Sequence, residues 1–173
     1  MKSSFVTVLL SFYTAWTNAQ NCGGVPTQNL VTLSRVFNFA TTDNRLVDST
    51  IATTLQGQGF INLGSIGKIL SQNDSSVCGF LHPVRALYSN PLSTTYYIMN
   101  DLLYAQRQAD GYIPQGTLGW AVPGVGMCGA TQKIYELFKV PEGIIQAPES
   151  MVSQYLSAGY TYQGVSFAIW PTS

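Results

Sequence analysis

Charge is scarce in this chain. Only 9% of its 173 residues are Asp, Glu, Lys or Arg, and eight bases balance eight acids. Nucleic-acid binding needs surplus Lys and Arg to release counterions from phosphates, so this balance excludes an electrostatic footprint for DNA or RNA. Histidine is reduced to one residue, His82, and cysteine to three, Cys22, Cys78 and Cys128, each 50 or more positions from the next. Zinc sites gather several His and Cys ligands at short spacing, and this set offers no such cluster. No metal and no cofactor is expected. A Ser-His-Asp or Cys-His arrangement would have to use His82, which stands before Pro83, between a Cys-Gly turn and a strand-like run. No apolar run reaches the roughly 20 residues of a bilayer-spanning helix, so no membrane span is expected.

Apolar and aromatic residues are abundant, at 46% and 12%. That content excludes a solvated, disordered chain. The N-terminus has its own pattern. Met1-Lys2 supplies a short positive start, Phe5 to Leu10 is apolar except for Thr7, and the run continues to Trp16. Thr17-Asn18-Ala19 places small residues at the −3 and −1 positions before Gln20. This layout predicts a secretory signal peptide over 1–19, and hence a secreted, extracellular protein. The remainder, 20–173, is long enough to bury one core. In an oxidising compartment, three cysteines predict one bridge and one leftover thiol. The pairing is open between Cys78–Cys128 and Cys78–Cys22. Asn73-Asp74-Ser75 is a glycosylation sequon and predicts a surface loop.

Internal similarity organises the rest. Each cysteine precedes a glycine, at Cys22-Gly23, Cys78-Gly79 and Cys128-Gly129. A strand-like run follows each pair: Leu33-x-Arg35-x-Phe37, Val84 to Tyr88, and Ile134 to Phe138. After a polar or proline-containing turn comes a second short run, then a helix-like segment near 50–58, 101–110 and 148–158. Asn100 suits an N-cap, and Pro148 suits the first helical position. Each helix ends in the same signature, Gly-aromatic-x-x-x-Gly, at Gly59-Phe60…Gly64, Gly111-Tyr112…Gly116 and Gly159-Tyr160…Gly164. The first glycine fits the left-handed residue that ends a helix. A β-like stretch is expected from Ile66, Leu118 and Val165 onward. The fold class read from this is α+β. It is a single domain of three diverged strand-strand-helix-strand repeats, at about 22–77, 78–127 and 128–173, around a pseudo-threefold axis. The loop Gly124 to Gly129 lacks the Lys and Ser/Thr of a phosphate loop and reads as the connection between the second and third units.

The segments Ser34-Arg35-Val36-Phe37-Asn38-Phe39-Ala40-Thr41-Thr42-Asp43-Asn44 and Val84-Arg85-Ala86-Leu87-Tyr88-Ser89-Asn90-Pro91, with Gly111-Tyr112-Ile113-Pro114-Gln115-Gly116 and Gly159-Tyr160-Thr161-Tyr162-Gln163-Gly164, resemble a family of secreted repeat domains. Its units run PLYRLYNPSATDHFYTT, a helix, then LGYxxEGxxGYV. Domains of that family have no assigned function and are sometimes appended to secreted hydrolases, which implies an accessory or binding role. The family's Asp-His pair stands here as Asp43-Asn44, becomes Thr94-Thr95 in the second unit, and is lost in the shorter third turn near Glu142-Gly143.

Among chemistry-bearing residues the aromatics give the best hint. Flat rings stack on sugar faces, and Tyr and Trp keep a polar handle at a wet surface. Trp120 and Trp170, in nearly corresponding late-strand positions, together with Tyr97 and Asp43, are the candidate carbohydrate-binding residues. No catalytic residue is assigned. The expectation is a secreted, non-catalytic binding module whose partner is a glycan or an extracellular surface component. Two alternatives stand beside it. One is a small secreted hydrolase acting through acids such as Asp43, which would need two carboxylates converging on one cleft. The other is an extracellular structural or protein-interaction protein, suggested by the weakly charged surface.

Overall fold

The computed structural model describes residues 24–26 and 28–172. The segment 1–19, expected to be a signal peptide, and Cys22 lie outside the described residues. The chain runs β1 (Leu30–Asn38), β2 (Asp43–Asp48), α1 (Ser49–Gln56), β3 (Ile61–Leu70), β4 (His82–Ser89), β5 (Thr94–Ile98), α2 (Asp101–Ala109), β6 (Ile113–Ala121), a 3-10 turn (Met127–Gly129), β7 (Gln132–Lys139), β8 (Gly143–Pro148), α3 (Glu149–Ser157) and β9 (Thr161–Ile169). Among the described residues the fold is α+β, mostly sheet with three helices. The order β-β-α-β occurs in three consecutive segments. In each, the first strand pairs antiparallel with both the second and the third.

The helix ends follow local chemistry. Asn100 caps α2 as expected, its side chain accepting from the Leu103 N–H at 2.9 Å. Asp48 caps α1 in the same way, accepting from the Thr50 and Ile51 amides. Pro148 is not the first helical residue; it is the N-cap of α3, with φ −68° and ψ 161°. The reason is that Pro148 still closes β8, paired with Ile134, and so must remain extended. Gly59, Gly111 and Gly159 have φ of 86°, 89° and 88°. Each lets the following aromatic turn back, so that the amides of Phe60, Tyr112 and Tyr160 bond the carbonyls of Leu55, Arg107 and Tyr155 at 3.0–3.2 Å.

The third strand of each segment starts four or five residues earlier than the sequence suggests. The cause is a pair of bulges in each. Against β1, residues Leu63 and Ile66 have no partner; against β4, Gln115 and Leu118; against β7, Gln163 and Ser166. Gly64, Gly116 and Gly164 sit between the bulged residues with φ of 107°, 99° and 141°. The second glycine of the signature therefore serves a doubly kinked strand, a backbone that hides the period-2 pattern.

The last residues of the third strands meet one another. Leu70 pairs with Trp120, Val122 with Ala168, and Trp170 with Lys68. Two glycines make this approach possible. A Cβ on Gly67 would lie 2.9 Å from the Trp170 carbonyl, and one on Gly119 would lie 2.6 Å from the Leu70 carbonyl. Side chains from all three segments fill the centre, among them Leu33, Leu46, Val84, Tyr97, Ile134 and Phe167. A second cluster surrounds the disulfide, which joins Cys78 to Cys128 across a Cα separation of 5.8 Å.

Candidate functional site

The three β-hairpins point their turns, at 39–42, 90–93 and 140–142, toward one end of the molecule. Between them lies a cavity of about 430 Å³ lined by Phe37, Asn44, Ser93, Glu142, Ile144 and Tyr160, among others. Its rim includes two non-glycine residues in left-handed backbone, Thr42 at φ 56° and Ser93 at φ 49°. Such conformations cost energy and concentrate at binding sites. Gly143 brings the third segment close to the second. A Cβ there would stand 3.1 Å from Thr94 and 3.2 Å from Leu92.

The polar groups of this cleft are held from behind. The Glu142 carboxylate meets Lys139 Nζ at 2.7 Å and accepts from the Tyr160 hydroxyl at 2.7 Å. The bonds from Lys139 and then Tyr160 hold its carboxyl below the usual range. Burial, and then the bond to Glu142, push the Tyr160 phenol up. The Asn44 Oδ1 accepts from Arg35 Nε at 2.7 Å. Arg35 is buried, lies over the Tyr155 ring at 5.1 Å, and has its pKa lowered by that burial. The cleft thus offers an amide, hydroxyls, one carboxylate and aromatic and aliphatic walls.

The four candidate residues taken from the sequence are not brought together. Asp43 adjoins Asn44 but is buried, bound to Arg45 at 2.6 Å, and its Oδ1 has no hydrogen-bond partner. Tyr97 lies in the central core. Its hydroxyl donates to the Leu46 carbonyl and accepts from the Leu46 N–H, both at 2.8 Å. Trp120 and Trp170 are at the opposite end, in the disulfide cluster. Trp170 is 2% exposed and donates from Nε1 to the Cys128 carbonyl at 2.8 Å. A ring enclosed in this way has no face left for a sugar, so Trp170 and Tyr97 are core residues. Trp120 is half-buried and packs on the same cluster. Nor do the two tryptophans correspond. In the pairing register Trp120 matches Lys68 and Ala168, whereas Trp170 matches Leu70 and Val122. The residues missed in the sequence are Thr42, Ser93 and Glu142, whose common signal is their place in the three hairpin turns.

The acids are spread over the fold. Asp48 caps a helix, Asp101 pairs with Arg85, and Asp110 pairs with Arg107 at 3.2 Å. Glu149 stands in the first turn of α3, where a negative charge is favoured. Two smaller grooves separate neighbouring segments. One, of about 220 Å³, lies between the first and second and is lined by Arg45, Asp48, Ala86 and Thr117. The other, of about 200 Å³, lies between the second and third and is lined by Tyr96, Asn100, Leu103, Glu136 and Ser166. Each of these three cavities is lined by a single carboxylate. His82 is exposed at the start of β4, and Asn73 is exposed in the loop before Cys78. Among the described residues no group of three His, Cys, Asp or Glu side chains is placed to hold a metal ion, and no helix is long and apolar enough to cross a membrane. No protein-family model, no curated protein and no solved structure matches this chain.

Proposed function

We propose that the protein is a secreted, non-catalytic binding module for carbohydrate of an extracellular surface, and that the ligand enters the cleft between the three hairpin turns. The observation that carries this reading is the convergence there of Asn44, Ser93, Glu142 and Tyr160 with the walls of Phe37 and Ile144. Sugars present hydroxyl edges and weakly apolar faces. An amide and a carboxylate suit the edges, and a small apolar wall suits the faces. The strained Thr42 and Ser93 backbones support the same location.

The reading extends to the architecture. We infer three diverged copies of one unit around a pseudo-threefold axis. Its supports are the same element order, bulges at the same register positions, and the cyclic pairing Leu70–Trp120, Val122–Ala168 and Trp170–Lys68. On this reading the cleft is built once, on the axis, rather than three times around it.

A glycan array with the purified protein tests the proposal. Binding is expected, and it should fall in Glu142→Gln, whose side chain is exposed enough to leave the fold intact. A blank array with well-folded protein, or binding indifferent to Glu142→Gln and Tyr160→Phe together, overturns it and moves the site elsewhere.

A further inference from the structure

The groove between the second and third segments carries a feature that the turn-end cleft does not explain. Glu136 on β7 is half-buried there, and no Lys or Arg lies in salt-bridge contact with it among the described residues. Its Oε2 is fixed by two hydroxyls. The Tyr96 O–H donates to it at 2.7 Å, and the Ser166 O–H at 3.3 Å. Ser166 is in turn held by Gln146, whose Nε2 donates to Ser166 Oγ at 2.8 Å. Gln146 is itself anchored to the second segment, accepting from the Tyr97 N–H at 2.9 Å and donating to the Tyr97 carbonyl at 2.8 Å. The carboxylate is therefore oriented by a chain of bonds that spans both walls of the groove. Its Oε1 makes no hydrogen bond to any described residue.

Comparison with the other two segments shows that this is a local elaboration. The residue at the register position of Glu136 is Arg35 in the first segment and Ala86 in the second. Arg35 fills its own surroundings, against Asn44, Tyr155 and Met151. Ala86 leaves an apolar wall in the groove between the first and second segments. Ser166 occupies a bulge position held by Ile66 and Leu118 elsewhere. A bulge re-aims a side chain, and here the side chain is a hydroxyl directed at the carboxylate. Arg107, the cation whose field reaches Tyr96, is already paired with Asp110. Burial, and then the charge of Glu136, push the Tyr96 phenol up, which keeps it a donor.

An oriented, half-buried carboxylate without a cationic partner, one oxygen held and one free, in a groove with room for a small molecule, is a counter-ion in search of a cation. We propose that this groove binds a primary ammonium group, with Glu136 as its counter-ion and Ser166 and Tyr96 as the residues that position the carboxylate. The chemistry is shared by an amino sugar with a free amine and by a lysine side chain. The groove has no lining residue in common with the turn-end cleft, so the proposal stands apart from the reading of that cleft.

The test is an NMR titration of the isotope-labelled protein with glucosamine, N-acetylglucosamine and Nα-acetyl-lysine methylamide. Glucosamine, the lysine probe, or both should shift the amide signals of Glu136, Ser166 and Asn100, and which of them does so identifies the source of the amine. N-acetylglucosamine, which has lost the charge, should not. Glu136→Gln keeps an acceptor for Tyr96 and should weaken binding roughly ten- to a hundredfold, as expected for loss of a charged partner. Equal binding of N-acetylglucosamine, shifts confined to another region, or no response to either amine overturns the proposal. The contrast between amine and acetamide is read in the native protein, so it holds even if the variant is poorly folded.

Discussion

At the scale of single residues, Tyr97 and Gln146 carry side chains that stand in for backbone. The Tyr97 hydroxyl satisfies both the N–H and the carbonyl of Leu46, and the Gln146 amide does the same for Tyr97. Leu46 holds the matching place in the first segment, and its side chain has no polar atom to extend the series. Tyr97→Phe keeps the ring and leaves two buried backbone groups unpaired. It should cost about 1–3 kcal/mol in denaturant titration, and a loss below a few tenths would mean that water replaces the hydroxyl. The aromatic character of Tyr97 was plain in the sequence, but its role was not, because its partner lies 51 positions away. The surroundings of Asp43 are hidden in the sequence for a related reason. A carboxylate in a turn reads as exposed, and only the fold shows it enclosed against Arg45. Asn100, by contrast, acts on its own first turn, and its capping role was legible from local spacing alone.

At the scale of elements, the glycines sort by what crowds them. Gly116 has an unusual φ of 99° but open space around its missing Cβ, whereas Gly119 meets the Leu70 carbonyl at 2.6 Å. Gly116→Ala should therefore cost about 1 kcal/mol, the price of a left-handed alanine. Gly119→Ala should cost more, about 2–4 kcal/mol, because a backbone atom of β3 must move and the Leu70–Trp120 pairing with it. Thermal melting of the two variants side by side checks the order; equal losses would mean that the junction of β3 and β6 yields easily. The order strand-strand-helix-strand was readable because each element has a local marker, such as the glycine and aromatic after every helix. The true start of β3, β6 and β9 was not readable. Two bulges break the alternation by which a strand is recognised, and their position is set by the neighbouring strand.

At the scale of the whole molecule, two features govern stability. The Cys78–Cys128 bridge closes a loop of 50 residues, and chain-entropy arithmetic assigns it about 4 kcal/mol. Replacing both cysteines with alanine should lower the denaturation free energy by about that amount, and an unchanged midpoint would mean that packing around Trp170 already fixes the junction. The second feature is a set of phenols, two buried and two half-buried. Tyr96, Tyr97, Tyr155 and Tyr160 all have pKa values raised, first of all by burial. The folded state holds these protons more tightly than the unfolded chain does. Their contribution is therefore complete below pH about 10 and is lost as the pH rises beyond it, since the unfolded chain ionises first. Tyrosinate absorbance should lag behind that of free tyrosine and then rise together with alkaline unfolding; smooth titration of all tyrosines near pH 10 would contradict this. The pairing of Trp170 with Lys68 also brings the end of the last strand back beside β3 of the first segment. Gly24, bonded to the Val77 carbonyl, and Trp170, bonded to the Cys128 carbonyl, both lie at the disulfide end, while the hairpin turns stand at the other end of strands such as β1, about 30 Å away. A tether joined at Gly24 or just past Trp170 would hold the protein by its foot and leave the cleft between the hairpin turns facing outward.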